Sequence, residues 1–254
     1  MSKSTILFII FILIAIFIVG CATTFKLSPV IENYSGNNIE KLFFEGNEVA
    51  WVKSKDRDIM IYGIKTGGNI VLHVLFNNRS DKNINVIPES ISVVGINEYD
   101  EKVSLKVYSA EEYLKKMRNT QMLALVLQAT GNAMSSMNSG RSTTTTNTNT
   151  YVSGNVGGNS FYGTGNSTST STTYDPSKQA EINRRNQEQL ERNAKQYRKQ
   201  YAATKQGLLK KTTLFPNYYI EGNVMVKYER AMKYIVKIPF GNETFTLEFK
   251  PVMY

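Results

Sequence analysis

The chain has little of the side-chain chemistry on which most enzymes depend. Its 254 residues include one cysteine, Cys21, and one histidine, His73. A single cysteine excludes a disulfide within the chain, so stability must come from a packed core. A lone histidine and scattered acidic residues argue against a transition-metal site of the usual kind, and we expect no metal and no cofactor.

Motifs for nucleotide binding and for nucleophilic catalysis are missing as well. The glycines of residues 154–165 lie in a polar tract, without the strand and helix that a phosphate-binding loop needs. His73 stands between Val and Leu in an apolar run, which favours a packed core residue over a catalytic base. Asp56 and Asp58 flank Arg57, and two carboxylates on one face could act as acid and base. A hydrolase of this kind is the least supported of three functions that we consider; the others are a non-enzymatic structural or protein-interaction module and a binding module for cell-wall glycan or acidic polymer. We therefore expect no enzymatic activity and assign no catalytic residue.

An apolar run from Ile6 to Gly20 dominates the N-terminus and stops at Cys21. It has about 15 residues, fewer than the roughly 20 that a membrane-spanning helix needs. It follows a basic start at Lys3, as the apolar core of a secretory signal does. Residues 1–20 are therefore predicted to be a signal peptide.

The end of this run, Ile18-Val19-Gly20-Cys21, resembles the lipobox of bacterial lipoproteins. The resemblance implies cleavage between Gly20 and Cys21, a diacylglyceryl group on the cysteine sulfur and a fatty acid such as palmitate on the new amino group. Two or more acyl chains hold a protein stably at a membrane, whereas one binds marginally. The alternative is an uncleaved anchor helix with an incidental cysteine. Ala22 follows the cysteine, and the lack of aspartate there favours the outer over the inner membrane.

The charge balance is basic before and after the predicted cleavage. The formal net charge is +9, and loss of Lys3 leaves 29 Lys and Arg against 21 Asp and Glu. An exported protein rarely meets nucleic acid. The basic balance therefore indicates anionic headgroups, acidic cell-envelope polymers or another envelope protein as partners, and a homo-oligomer stays open.

Changes of pattern divide the mature chain. Residues 21–38 are predicted to be the lipidated cysteine and a tether, because they mix polar, Gly and Pro residues without a period. Residues 39–108 and 208–254 contain short alternating apolar runs with turns between them. Residues 109–207 form an insertion between these halves. We predict a mainly β fold, an antiparallel immunoglobulin-like sandwich interrupted by an inserted α-helical hairpin.

One stretch supports this fold by resemblance. Asn69 to Ser80 (NIVLHVLFNNRS), followed by Ile84-Asn85-Val86, resembles the strand, Asn-containing turn and strand of immunoglobulin-like sandwiches in exported bacterial proteins. The resemblance implies the fold and no activity.

The insertion opens with a predicted helix from Ala110 to about Asn138. Ser109 and Glu112 have the spacing of a capping box at its start. Its middle is apolar all round, which is typical of a helix that is buried or that faces a partner. The candidate partner surface consists of Met122, Leu123, Leu125, Val126 and Leu127.

Residues 139–174 are a low-complexity tract of Ser, Thr, Asn and Gly in which Arg141 is the single charge. The tract offers too little apolar area to offset the entropy of ordering, so we predict a disordered tip between two helices. The alternative is a segment that pairs as strands with copies of itself, since polar tracts with aromatic residues do this.

A second helix is predicted from Asp175-Pro176 to about Gln206. Its apolar stripe is thin and its other faces are mainly basic. The candidate face for an anionic polymer consists of Arg184, Arg185, Arg192, Lys195, Arg198 and Lys199. The alternative is an ordinary solvated face. Four later tyrosines would either stack on cell-wall sugars or pack as core and edge aromatics; they are Tyr218, Tyr219, Tyr228 and Tyr234.

Overall fold

The computed structural model describes residues 24–31, 38–139, 141–156 and 159–253. These residues separate into two compact units. The sandwich unit comprises the described residues up to Lys116 and those from Ala202 onwards, and the hairpin unit comprises Met117–Tyr201. The chain is mainly β, with antiparallel strands and two inserted helices, as the sequence predicts.

The elements follow one another along the chain with short connections. In order they are β1 (Phe25–Pro29), β2 (Asn38–Phe44), β3 (Asn47–Lys53), β4 (Arg57–Thr66), β5 (Asn69–Asn78), β6 (Ile84–Val86), β7 (Ser92–Ile96), β8 (Lys102–Leu105), β9 (Val107–Tyr108), α1 (Ala110–Ser139), β10 (Arg141–Val156), β11 (Asn159–Tyr174), α2 (Pro176–Gly207), β12 (Thr212–Leu214), β13 (Tyr219–Lys227), β14 (Lys233–Phe240) and β15 (Glu243–Val252).

The strands of the sandwich unit form two packed layers. Within the described residues, one hydrogen-bonded path runs β8-β7-β14-β15-β1-β4-β5-β13-β9, and β3 joins it at β4 with β2 beside it. Phe76 on β5 meets Phe240 on β14 edge to face, with ring centroids 5.0 Å apart, although three strands lie between them along the path. The sheet therefore folds over itself, and its inner faces enclose the core.

Side chains that alternate between buried and more exposed positions along the central strands form this core. On β5 every second side chain from Ile70 to Phe76 is at most 1% exposed, while His73 and its neighbours on the other face are half-buried. The facing strand β14 contributes Tyr234, Val236, Ile238 and Phe240, all fully buried. Asn78, at the end of β5, is also fully buried, in the Asn-containing turn that the resemblance singled out.

The prediction of a tether over residues 21–38 misses strand β1. This strand pairs with β15 on one side and with β4 on the other, and Leu27 is 1% exposed. A Cβ on Gly63 would lie 2.6 Å from Leu27 Cδ1, so the missing side chain at Gly63 lets β1 pack against β4. The folded part therefore begins within four residues of Cys21.

Both predicted helix starts are confirmed by their caps. Ser109 Oγ accepts a hydrogen bond from the Glu112 amide at 3.1 Å. Asp175 Oδ1 accepts from the amides of Ser177 at 3.0 Å and Lys178 at 3.2 Å. The Ser177 hydroxyl and these amides hold the pKa of the Asp175 carboxyl below its usual range. The caps satisfy amide groups that a helix start otherwise leaves unpaired.

The structure corrects the prediction of a disordered tip. Strands β10 and β11 pair antiparallel in continuous register, from Arg141 opposite Tyr174 to Val156 opposite Asn159. The prediction weighed only the apolar area that the tract offers. Thr is β-branched and favours strands, and most cross-strand pairs here join Thr or Asn to Ser, Thr or Asn. This two-stranded element is called the polar ribbon below.

Candidate functional site

The predicted lipidation site lies outside the described residues. Gly20 and Cys21 precede the first of them, Thr24, so the cleavage and the modification stay predictions. Among the helices in the described part of the chain, none is both long enough and apolar enough to cross a membrane.

The predicted partner surface on α1 is mostly open to solvent. Four of its five side chains are between 59 and 63% exposed. Leu125 is half-buried and lines an interhelical groove with Leu190 and Ala194 of α2. One of the five residues is therefore half-buried and the other four are exposed, although Val126 lines the same groove as Leu125. These four, called the apolar surface below, are Met122, Leu123, Val126 and Leu127.

Polar side chains connect the two helices of the hairpin unit. Asn193 Nδ2 donates to Gln128 Oε1 at 2.9 Å, and Gln179 Nε2 donates to the Ser136 carbonyl at 3.1 Å. None of the described residues of α2 is fully buried. Two helices leave their outer faces open, so the hairpin cannot cover all the apolar residues of α1.

The groove between the helices joins the two predicted surfaces. It has an open volume of about 760 Å3 and an apolar floor that includes Leu125 and Leu190. Lys195 and Arg198, from the predicted anionic-polymer face, line it together with Glu191. An adjoining groove of about 340 Å3 places Arg118 beside Met122. Apolar and cationic groups that the sequence analysis treated separately thus form one surface.

Ion pairs divide the predicted anionic-polymer face into two parts. Three of its arginines are compensated within α2, in the pairs Arg184–Glu188, Arg185–Glu181 and Arg192–Glu188. Among the described residues, no ion pair involves Lys195, Arg198 or Lys199. The uncompensated positive charge therefore lies along the part of α2 that borders the groove.

Sequence reasoning misses a small pocket on the outer face of the sandwich unit, called the sheet pocket below. Its volume is about 180 Å3, and it is lined by Phe44, Val49, Met60, Tyr62, His73, Leu75 and Glu221. Strand register brings these side chains together, because Tyr62 lies opposite His73, and Leu75 lies opposite Met60 on one side and Glu221 on the other. The signal in the sequence is that β5 is apolar on both faces, which indicates a central strand but not a pocket.

His73 supplies a polar side of the sheet pocket. Its ring stacks on Tyr62, with centroids 4.9 Å apart and an angle of 27° between the planes. Nδ1 lies 3.1 Å from Asn223 Oδ1, an acceptor, so the neutral ring carries its proton on Nδ1. Nε2 lies 3.6 Å from Glu221 Oε2. His73 therefore faces outward and is half-buried, instead of lying in the core as the sequence predicts.

The acidic pair considered for hydrolysis stabilises a turn. Asp58 is 7% exposed and accepts hydrogen bonds from Arg79 Nη2 at 2.8 Å and Asn77 Nδ2 at 3.2 Å. Asp56 Oδ1 lies 3.8 Å from Arg57 Nε. These contacts tie the start of β4 to the end of β5. In the described part of the chain, no cluster of three His, Cys, Asp or Glu residues has the arrangement of a metal site.

The four tyrosines do not form one surface. Tyr218 and Tyr219 are 64 and 67% exposed, whereas Tyr234 is fully buried and donates to the Glu229 carbonyl at 3.0 Å. Burial raises the pKa of Tyr234 far above its usual range, and the nearby Tyr228 adds to this shift. A sugar-stacking role is therefore limited to the exposed pair.

No protein-family model, curated protein or solved structure shows significant similarity to this chain. Its functional interpretation therefore rests on its own residues and their geometry.

Proposed function

We propose that this protein is a lipid-anchored lipoprotein of the cell envelope whose hairpin unit is a non-enzymatic module that binds another envelope protein. One observation carries the interaction role. The apolar surface is about 60% exposed and adjoins a groove that Lys195 and Arg198 line. Exposed apolar clusters with a polar rim mark interaction sites. The resemblance to a lipobox at Cys21 supports the location in the envelope, and Ala22 in place of aspartate favours the outer membrane.

The chemistry of the groove favours a partner that carries apolar side chains and carboxylates. Its apolar floor would bury the former, and Arg118, Lys195 and Arg198 would attract the latter. An amphipathic helix with an acidic edge matches both. The hairpin unit itself has nine Lys and Arg against four Asp and Glu, a net charge of +5. A second copy would therefore be repelled at this surface.

A photo-crosslinking residue at Leu127, in the full-length chain in its native membrane, tests this function. We expect one dominant adduct with an acidic envelope protein, because Leu127 is 63% exposed and follows Val126, which lines the groove. The adduct should disappear in the double variant Leu123→Asn, Val126→Asn. The matched control is the same crosslinker at Asn183, which is exposed on α2.

Two outcomes would contradict this proposed function. Equal labelling from Leu127 and Asn183 would show that the adduct reports general crowding. Unfolding of the hairpin unit in the double Asn variant would show that the apolar surface is core.

The anchor is tested separately by intact mass and membrane fractionation of the native protein beside Cys21→Ala. A mature chain that starts at Cys21 and carries diacylglyceryl and acyl groups, both lost in the variant, would support lipidation. An uncleaved and unmodified chain would show instead that residues 6–19 act as an anchor helix.

A second candidate function is binding of a cell-wall glycan or another acidic envelope polymer. The observation that favours it is the group of three cations without an ion pair in the described structure, Lys195, Arg198 and Lys199. Replacing all three by Gln should abolish sedimentation with purified cell wall. Arg184→Gln with Arg185→Gln is the control, since both arginines are already paired. Binding that salt does not weaken would contradict this function.

A further inference from the structure

The sheet pocket has the composition of a site for a small ligand that is both apolar and polar. Five of its lining residues are apolar or aromatic, among them Phe44 and Tyr62, and two carry titratable heads, His73 and Glu221. Its volume of about 180 Å3 suits a single small group rather than a macromolecule. It belongs entirely to the sandwich unit, so it is distinct from the groove of the hairpin unit.

Two hydrogen-bond acceptors face each other at this pocket. Because Nδ1–H of His73 donates to Asn223 Oδ1, Nε2 of the neutral ring presents a lone pair. That lone pair lies 3.6 Å from the carboxylate oxygen of Glu221. With the His73 ring neutral, both groups accept and neither donates, so an N–H donor of a ligand would be stabilised by the two together; a protonated ring would instead pair with Glu221.

The charges around the pocket favour a cation. The carboxylates of Glu45 and Glu221 both lie close enough to Tyr62 to raise the pKa of its phenol, although burial is the larger cause. No Lys or Arg is among the residues that line the pocket, and Lys26 on β1 donates to the Gly46 carbonyl at 2.6 Å. Phe44 and Tyr62 contribute aromatic rings to the lining of the pocket.

We propose that the sheet pocket binds a small organic cation, a primary alkylammonium. Its ammonium group would bridge His73 Nε2 and Glu221 from one side, and its hydrocarbon body would lie against Met60 and Leu75. A neutral isostere would lose the interaction with the carboxylates, and an anion would be repelled. This site is independent of the proposed function of the hairpin unit.

Two natural spectroscopic probes lie at or beside the sheet pocket. Trp51 is the single tryptophan of the sequence. It lies directly opposite Met60 across the β3–β4 pair, and Met60 lines the pocket. His73, the single histidine, gives a second reporter through its imidazole proton resonances.

Titration of the full chain with n-butylammonium chloride, followed by both reporters, tests the proposal. We expect n-butanol, of similar size but neutral, to bind about tenfold more weakly, and butyrate more weakly still. Glu221→Gln should weaken butylammonium binding by about tenfold, since it removes the charge but keeps the shape. Glu221 is exposed, so this change should leave the fold intact. The control is Glu229→Gln, because Glu229 pairs with Lys227 and does not line the pocket.

Three results would overturn the assignment. The first is equal binding of butylammonium and butanol, which would make the pocket merely apolar. The second is equal binding by the Glu221→Gln and Glu229→Gln variants. The third is no change in Trp51 emission and none in the His73 resonances at about 50 mM ligand, a concentration that would saturate a site of millimolar affinity.

Discussion

The side-chain amide of Asn78 donates to the carbonyl of Leu214, 136 residues further along the chain, at 3.1 Å. The same amide donates to the Lys82 carbonyl at 2.7 Å, and Oδ1 accepts from the Ser80 amide and hydroxyl. One fully buried side chain therefore ties together the two halves of the sandwich that the insertion separates.

Asn78→Ala should destabilise the sandwich unit by about 3 kcal/mol, because it leaves several buried backbone groups without a partner. Asn77→Ala is the matched control, since Asn77 is half-buried and its amide donates one bond, to Asp58. We expect about 1 kcal/mol for the control. Urea unfolding followed by Trp51 emission measures both, and equal losses would contradict the role given to Asn78.

Leu125→Asp and Leu123→Asp should differ in their effect on the hairpin unit. Leu125 lines the groove between the helices, so a carboxylate there should cost about 2 kcal/mol and increase amide exchange in residues 117–201. Leu123 is 59% exposed, and its replacement should change stability by less than about 0.5 kcal/mol. Hydrogen exchange distinguishes the two; a large effect at Leu123 would mean that the apolar surface is covered within the chain.

Glu48 should give the sandwich unit an acid-sensitive contribution. Lys41 Nζ lies 2.6 Å from Glu48 Oε2, and Ser28 donates to the same oxygen. These hydrogen bonds lower the pKa of Glu48 below its ordinary value of 4.5. The contribution is therefore present above that value and is lost as the pH falls through the lower pKa of the folded state.

The variant Glu48→Gln should accordingly be less stable than the natural chain by about 0.5 kcal/mol near neutral pH and equally stable in strong acid. Unfolding free energies at several pH values test this, with Glu98→Gln as the exposed control. A difference that persists in acid would show that Glu48 acts through packing instead of charge.

The polar ribbon should depend on β-branching rather than on hydroxyl groups. Thr145 lies opposite Thr170 in the ribbon. Replacing both by Gly should weaken the pairing by about 1 kcal/mol per residue and speed amide exchange in β10 and β11. Replacing both by Val keeps the branching and should leave exchange slow. If Val acts like Gly, the hydroxyl groups hold the strands together.

Much of the fold follows from local patterns. A run that is apolar on both faces predicts β5, and alternation of apolar and polar residues predicts β13 and β15. The capping residues Ser109 and Asp175 predict the helix starts. Strand β1 escapes prediction because its alternation spans only five residues and ends in Pro29. The polar ribbon escapes because its strand preference comes from Thr, not from burial.

The sheet pocket could not be predicted because it depends on register. His73 and Glu221 are 148 positions apart, and only the pairing of β13 with β5 brings them together. The groove of the hairpin unit has a similar cause. Leu125 and Arg198 meet only because α1 and α2 lie side by side in that unit.

The position of β1 has a mechanical consequence. It begins at most about 14 Å of extended chain after Cys21, and it is hydrogen-bonded to β4 and to β15. If Cys21 is held in a membrane, a force that pulls the domain away acts along β1 and loads both rows of hydrogen bonds in shear, many bonds at once. Such an anchor would thus pull on a strand that is paired on both sides.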